Sequence, residues 1–240
     1  MLRLPIQKAS IIDKKARITG NDYKHIVRVL RLGPGDEITL FDEDSYEHRG
    51  IISDVNVREL RLNILESIRV NRESKVSITL LQGLPKGDKM DLIVEKATEM
   101  GVNTIVPVMT ERSQVRKTRK LKRWQRIAIE SSKQCGRVKP PRIDEEKKFK
   151  EAIKCNSNIG LRLIFYENTK VSLREFIRIY TEVPKNIVLF IGPEGGFSKD
   201  EVDLALKSGF VPLSLGPRIF RTETASIVAL SILQYLYGDL

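Results

Sequence analysis

Apolar positions alternate through the first part of the chain. "RGIISDVNV" (Arg49–Val57) and "RLNILESIRV" (Arg61–Val70) put every second side chain on one face, the period of a half-buried strand. "RITG" (Arg17–Gly20) and "GPGDEITLFD" (Gly33–Asp42) add further short strands with turn signals. Between them "NDYKHIVRVLRL" breaks the alternation, and the spacing of Ile26, Val29 and Leu30 predicts a short helix with all three on one side. Short strands so closely spaced predict a small β-barrel over residues 1–70. The polar "VNRESK" (Val70–Lys75) reads as a linker.

From Val76 the pattern becomes strand, helix, strand. "VSITLLQGL" is a continuous apolar run of the kind buried on both faces of a parallel sheet. "GDKMDLIVEKATEMG" carries Met90, Ile93, Ala97 and Met100 at helical spacing, and Gly101 stops it. "NTIVPVM" is the next strand. "KRWQRIAIESSKQ" predicts a helix with Leu121, Trp124, Ile127 and Ala128 on its apolar stripe and Arg119, Lys122, Arg126 and Lys133 largely off it. "EEKKFKEAI" predicts another helix. "GLRLIFY", "SLREFIRIY" and "KNIVLFI" repeat strand, helix, strand. In "SKDEVDLALKSG", Ser198 at the N-cap and Glu201 three residues on form a capping box, and Gly209 ends the helix. "FVPLSL" and "TASIVALSILQYLYG" supply a last strand and a last helix. The fold class is therefore α/β, with a mostly parallel sheet over residues 74–240 behind the small N-terminal barrel.

Charge changes this picture by its placement. The chain nets +11, and Arg112–Lys150 alone holds 15 basic against 4 acidic residues. Residues 1–70 are close to neutral, with 12 basic against 11 acidic. Such a dense basic run suits a polyanion such as RNA, because phosphate contacts release counterions; a solvated helix face is the plainer alternative. No apolar run approaches the about 20 residues of a membrane span, and "MLRLPIQKAS" has no secretory leader character. Cys135 and Cys155 form no C-x-x-C and read as reduced thiols of a cytoplasmic protein.

Ligands of an open α/β sheet bind beyond the carboxyl ends of its strands. Here those ends are "FYENT", "GPEGGF" and "LGPRIFRTETA". Their glycines admit a ligand to the backbone, or they are simply tight turns from strand to helix. No P-loop, Rossmann fingerprint, H-E-x-x-H or G-x-S-x-G occurs, and "GLPKGDK" fits none of them. With only His25 and His48, both in the N-terminal part, no metal site is expected.

"GLPKGDKMDLIVEKATEMGV", "TERS", "WQRIAIESSKQCGR", "IGPEGGFSKDE" and "LGPRIFRTETA" occur together and in order. Together they resemble the ribosomal RNA small subunit methyltransferase E family of the SPOUT superfamily, over nearly the whole chain. "HIVRVLRLGPGDEITLFD" resembles that family's PUA-like RNA-binding barrel. The resemblance implies S-adenosyl-L-methionine as methyl donor, a C-terminal trefoil knot and a homodimer. It further implies methylation at N3 of one uridine, uracil 1498, of 16S rRNA in the 30S subunit. "EDSYEHRG" departs from the family pattern, being longer and more acidic than the usual glycine-containing turn, which puts the barrel's detailed RNA contacts in question. Rival readings are a SPOUT methyltransferase for another RNA, or a non-catalytic ribosome-assembly protein that keeps the fold.

By that resemblance, Gly192, Pro193 and Gly196 would admit the donor, Leu215, Gly216 and Ile219 would surround its adenine, and Thr224 and Ala225 would line its methionine end. Uracil N3 reacts only without its proton, so fixed cations beside the carbonyl oxygens would promote the reaction. Arg221 is the first choice, unless it is salt-bridged to Glu223 or another loop acid; Arg218 and Arg112 come second. No proton acceptor stands out, and Glu194 is unassigned. Arg3, Arg28, Arg31 and the run with Arg116, Lys120, Lys122, Arg123 and Arg126 would meet rRNA phosphates, although Arg3 could equally belong to a loose terminus.

Overall fold

The computed structural model describes residues 2–114, 118–156 and 160–240. The chain divides into two compact units. One is Met1–Glu73 with Ser132–Lys139, the other Ser74–Ser131 with Pro140–Leu240.

The first unit is built on β1 (Leu2–Pro5), β2 (Ile11–Ile12), β3 (Lys15–Thr19), α1 (Gly20–Lys24), β4 (Glu37–Phe41), β5 (Tyr46–Val55) and β6 (Glu59–Arg69). Its strands form one sheet in the order β1-β4-β5-β6-β3-β2, antiparallel except for the parallel pair of β1 and β4. The predicted alternation is visible in β3, where Ala16 and Ile18 are buried between exposed neighbours, and in β6, where Leu60, Leu62 and Ile64 are. These side chains pack with Leu4, Tyr23, Ile38 and Leu40 into one core.

The helix in this unit differs from its sequence pattern. After α1 the chain widens into a π-helical turn over His25–Val29, closed by the Leu30 N–H donating to the His25 carbonyl at 3.0 Å. The extra residue per turn shifts the phase of everything beyond it. Ile26 stays buried, but Val29 and Leu30 are 66% and 41% exposed, and Val27 and Leu32 pack on the core in their place.

The second unit contains β7 (Ser77–Gly83), α2 (Lys89–Glu99), β8 (Thr104–Met109), α3 (Leu121–Cys135), β9 (Arg142–Ile143), β10 (Lys147–Lys148), α4 (Phe149–Cys155), β11 (Leu161–Phe165), α5 (Leu173–Ile179), β12 (Asn186–Ile191), α6 (Lys199–Lys207), β13 (Val211–Leu213) and α7 (Thr222–Tyr237). The last few residues of α3 group with the first unit. The sheet runs β10-β8-β7-β12-β11-β13, with β9 also on β8, and every pairing is parallel. Part of "EEKKFKEAI" is extended, since Lys147–Lys148 pairs with β8 before α4 begins.

Both faces of this sheet are covered, which is why its strands read as unbroken apolar runs. In β12, Ile187, Leu189 and Ile191 join a core with residues of α2, α3 and α7. Val188 and Phe190 face the other way, into a core with Phe149, Phe197, Val202 and Phe210. On α3, Trp124 and Ala128 are buried, and Trp124 Nε1 donates to Asp91 at 3.1 Å. The capping box of α6 forms as the sequence predicts: the Ser198 hydroxyl accepts from Glu201 N–H, and the Glu201 carboxylate accepts from Ser198 N–H. Among the described residues, no helix is long and apolar enough to cross a membrane.

Candidate functional site

Strands β11, β12 and β13 are neighbours or next neighbours in one parallel sheet, so their carboxyl ends open on the same edge. Two cavities lie there. One, of about 590 Å³, is lined by Tyr166, Glu167, Leu215, Gly216, Arg218 and others. The second, of about 630 Å³, is lined by Lys89, Gly192, Pro193, Glu194, Gly196, Arg221 and others. They share Phe165, Glu167, Ile219, Phe220 and Ala225 as a common wall, so the three loops enclose one groove. A larger cavity, of about 730 Å³, sits on the N-terminal sheet beside Lys15, Arg17 and Arg61. Its two arginines are already paired with Glu59.

Backbone geometry shapes the loop after β12. Gly196 N–H donates to the Pro193 carbonyl at 2.9 Å, closing a turn with Glu194 and Gly195 at its tip. Gly196 has φ +66°, a backbone conformation that favours glycine, and its Cα faces the Glu167 carboxylate. At the end of β7, a Cβ on Gly83 would come 2.5 Å from Pro193, so that strand end and the loop are in direct backbone contact.

The base of the loop is fixed by a buried network. Thr222 Oγ1 donates to the Gly192 carbonyl at 2.6 Å and accepts from Gln82 Nε2 at 3.0 Å. Ser226 Oγ donates to Gln82 Oε1 at 2.6 Å. Gln82, Thr222 and Ser226 are all buried, so each hydrogen bond replaces one that water would otherwise make. The tip is held as well. Glu194 accepts from Lys89 Nζ at 2.7 Å and from Lys86 N–H at 3.2 Å. Burial would raise the Glu194 pKa, but the Lys89 hydrogen bond and the N–H groups of Glu194 and Lys86 outweigh it. The carboxyl is therefore held below its ordinary range. Lys89 also lies 3.8 Å from Glu223 Oε2, a buried oxygen with no hydrogen bond among the described residues.

The structure brings together most of the residues expected to bind a donor. Gly192, Pro193 and Gly196 line one cavity, Leu215 and Gly216 the other, and Ile219 and Ala225 both. Thr224 is exposed on the first turn of α7 and lines neither. Arg221 and Arg218 line one cavity each, and among the described residues neither guanidinium makes a hydrogen bond or ion pair. The acid nearest Arg221 in sequence, Glu223, is beside Lys89 instead. Arg112 is engaged in support of the loop, its Nη1 donating to the Gly195 carbonyl at 3.1 Å. The "TERS" segment is anchored too, since Glu111 N–H donates to Glu201 Oε1 at 2.8 Å.

The basic candidates fall into two groups. Arg28 and Arg31 are exposed beside the π turn, and Lys122 and Arg126 are exposed on α3; none of the four side chains has a partner among the described residues. Lys120 is paired with Asp88 at 2.8 Å and Arg123 with Asp91 at 2.7 Å. Arg3 belongs to β1 and is not loose: its guanidinium pairs with Glu47, donates to the Gly136 carbonyl and lies over the Phe41 ring. Arg116 lies outside the described residues. Sequence reasoning missed Gln82, Lys89, Glu167 and Thr222. A polar residue inside the apolar run "SITLLQG" was the signal for Gln82, because a doubly covered strand must find it partners.

Comparison with known proteins agrees with this arrangement. Family models for an RNA methyltransferase domain and an RNA methyltransferase PUA domain match residues 72–234 and 18–65. The ribosomal RNA small subunit methyltransferase E of Buchnera aphidicola from Acyrthosiphon pisum is 35% identical over 220 residues, covering 90% of this chain and 85% of its own. That of Bacillus subtilis is 32% identical, with 92% of each chain covered. The chain belongs to the ribosomal RNA small subunit methyltransferase E family. A member from Neisseria gonorrhoeae, solved bound to S-adenosyl methionine, superposes with a TM-score of 0.88 at 32% identity, covering 100% of this chain and 99% of that one. A methyltransferase from Legionella pneumophila, solved with the cofactor SAM, gives 0.89 at 35% identity with the same coverage. The family's fold, a PUA-like domain followed by a parallel-sheet SPOUT domain, is the fold described above. Among the described residues, no group of His, Cys, Asp and Glu could hold a metal ion.

Proposed function

We propose that this chain transfers a methyl group from S-adenosylmethionine to N3 of one uridine, uracil 1498, of 16S rRNA in the small ribosomal subunit. The observation that carries the reading is the groove at the ends of β11, β12 and β13, where a pinned glycine loop stands beside two arginines without a partner among the described residues. The names of the relatives support an RNA methyltransferase acting on the small subunit.

The groove's residues fit the donor. Phe165, Leu215, Ile219 and Phe220 offer apolar surface of the kind an adenine ring requires. The Glu167 carboxylate lines both cavities without a hydrogen bond or ion pair among the described residues, and suits the positive end of a sulfonium amino acid. When bound, the donor supplies an electrophilic methyl group.

The remaining work belongs to the chain. A neutral imide nitrogen is a poor nucleophile, so the uracil must be held as its N3 anion. Arg221 is the first candidate for stabilising charge on the uracil oxygens, because it lines the groove and its guanidinium has no partner among the described residues; Arg218 is the second. Holding the two reactants in line can supply roughly 7–11 kcal/mol. Arg112 and Glu194 hold the loop in shape. Arg28, Arg31, Lys122 and Arg126, without a partner among the described residues, are cations suited to rRNA phosphates. A homodimer, a knotted C-terminal domain and a cytoplasmic location belong to the same reading.

Deleting the gene in its host should remove 3-methyluridine from 16S rRNA, and the purified protein with S-adenosylmethionine should restore it. Mass spectrometry of rRNA nucleosides reads both steps. Unchanged 3-methyluridine in the deletion strain would overturn the assignment.

A further inference from the structure

Glu194 stands at the tip of the donor loop, and its role above goes no further than holding that loop. Its carboxylate closes a contact between two chain segments more than a hundred residues apart, accepting from Lys86 N–H at 3.2 Å and Lys89 Nζ at 2.7 Å. Lys89 is the first residue of α2, so its ammonium projects from a regular helix backed by the buried side chains of Met90, Ile93 and Val94. The lysine thus ties the turn at Pro193–Gly196 to the start of α2.

Lys89 lines the groove, which would also suit a cation acting directly on the substrate. Its surroundings argue against that. It is 2.7 Å from one carboxylate and 3.8 Å from another, so turning it to a substrate would leave Glu194 and the buried Glu223 oxygen without compensating charge. Arg221 and Arg218 carry no such obligation.

We propose that Lys89 is a positioning residue for the methyl donor: with Glu194 it fixes the 192–197 loop in its binding shape, and it does not touch the reacting atoms. The inference rests on the methyl-donor reading of the groove. The loop is fixed at three places, Gly192 by Thr222, Gly195 by Arg112, and the tip by Lys89. Only the last joins two oppositely charged side chains, so substitution at either end should release the same constraint.

Calorimetric titration of S-adenosylmethionine into the full-length protein tests this, using Lys89→Met, Glu194→Gln, their combination and Lys89→Arg. Each single loss should weaken donor binding about tenfold, the value of one charge-assisted contact. The combination should be no worse than the poorer single change, and Lys89→Arg should recover most of the affinity. On small subunits KM for the donor should rise while kcat at saturating donor stays within about twofold. Donor affinity unchanged in both single variants would overturn the proposal, as would losses that multiply to about a hundredfold in the combination. A fall in kcat with unchanged donor KM would make Lys89 a catalytic residue instead. If Lys89→Met does not fold, Glu194→Gln and Lys89→Arg carry the same test. Wild-type protein that binds no donor would overturn the methyl-donor reading itself, a result distinct from any of the variant outcomes.

Discussion

The hydroxyl of Thr222 donates to the carbonyl of Gly192 at 2.6 Å, joining the first residue of α7 to the first residue of the loop after β12. Gln82 donates to the same hydroxyl from the end of β7, so three strand-to-helix junctions are tied through one buried oxygen. Replacing Gln82 with leucine would remove an acceptor from Ser226 and a donor from Thr222 while leaving both hydroxyls buried. Each hydroxyl keeps a second partner, the Thr222 carbonyl for Ser226 and the Gly192 carbonyl for Thr222, so the expected cost is about 0.5–1.5 kcal/mol for each hydrogen bond lost. Urea unfolding of Gln82→Leu measures it, and wild-type stability in that variant would mean that water replaces the missing partners.

Arg221→Ala should lower turnover by two orders of magnitude or more, about the cost of losing one charge-stabilising donor, with little change in donor affinity. Arg221→Lys should recover only part of the rate, because an ammonium cannot reproduce the guanidinium fork. Single-turnover methylation alongside calorimetry separates the two quantities. A loss confined to donor binding would move Arg221 to the cofactor site.

The basic residues of α3 are not equivalent. Lys122 and Arg126 have no partner among the described residues, whereas Lys120 and Arg123 are paired with Asp88 and Asp91. Neutralising Lys122 and Arg126 should therefore flatten the salt dependence of RNA affinity more than neutralising Lys120 and Arg123. Every phosphate that the protein no longer neutralises lowers the slope by roughly 0.7–0.9. Equal slopes in the two double variants would show that the ion pairs open on binding.

Donor binding should be insensitive to pH across the neutral range and decline only in acid. The Glu194 pKa is depressed from its ordinary 4.5, with Lys89, the Lys86 N–H and the nearby Glu223 around it. A lowered carboxyl pKa contributes fully above the ordinary value and loses that contribution as pH falls through the lowered one. Calorimetry against pH checks this, with Glu194→Gln expected to flatten the acid limb. An acid limb unchanged in that variant would assign it to another group.

Removing the cap of α6 should have a graded effect. Ser198→Ala loses one cap hydrogen bond, worth about 1 kcal/mol. Glu201→Ala should cost more, because the same carboxylate also accepts from Glu111 N–H and holds the "TERS" segment. Thermal unfolding of both variants measures the difference; equal losses would make the Glu111 contact energetically neutral.

Much of the fold could be read locally. Hydrophobic period separated the alternating strands of the N-terminal unit from the unbroken runs of the parallel sheet, and Ser198 with Glu201 marked the start of α6 to the residue. The glycine loops were placed at strand ends by the same grammar. What escaped was non-local or unpatterned. Lys89 meets Glu194 across 105 positions and Gln82 meets Thr222 across 140, and no spacing rule reaches that far. Strands β9 and β10 are two residues each, too short to show a period. The inner side of the helix after Gly20 was misread because period analysis assumes 3.6 residues per turn, and this chain inserts a wider one.

That wide turn couples the length of the chain to the heading of the side chains that follow it. Losing one residue within His25–Val29 would restore α-helical phase and swing each later side chain by about 100° around the axis. Arg28 and Val29 would take new headings, whereas Arg31, with φ +58°, already lies past the helix end. A single codon thus stands between two headings of Arg28, an exposed cation of this unit.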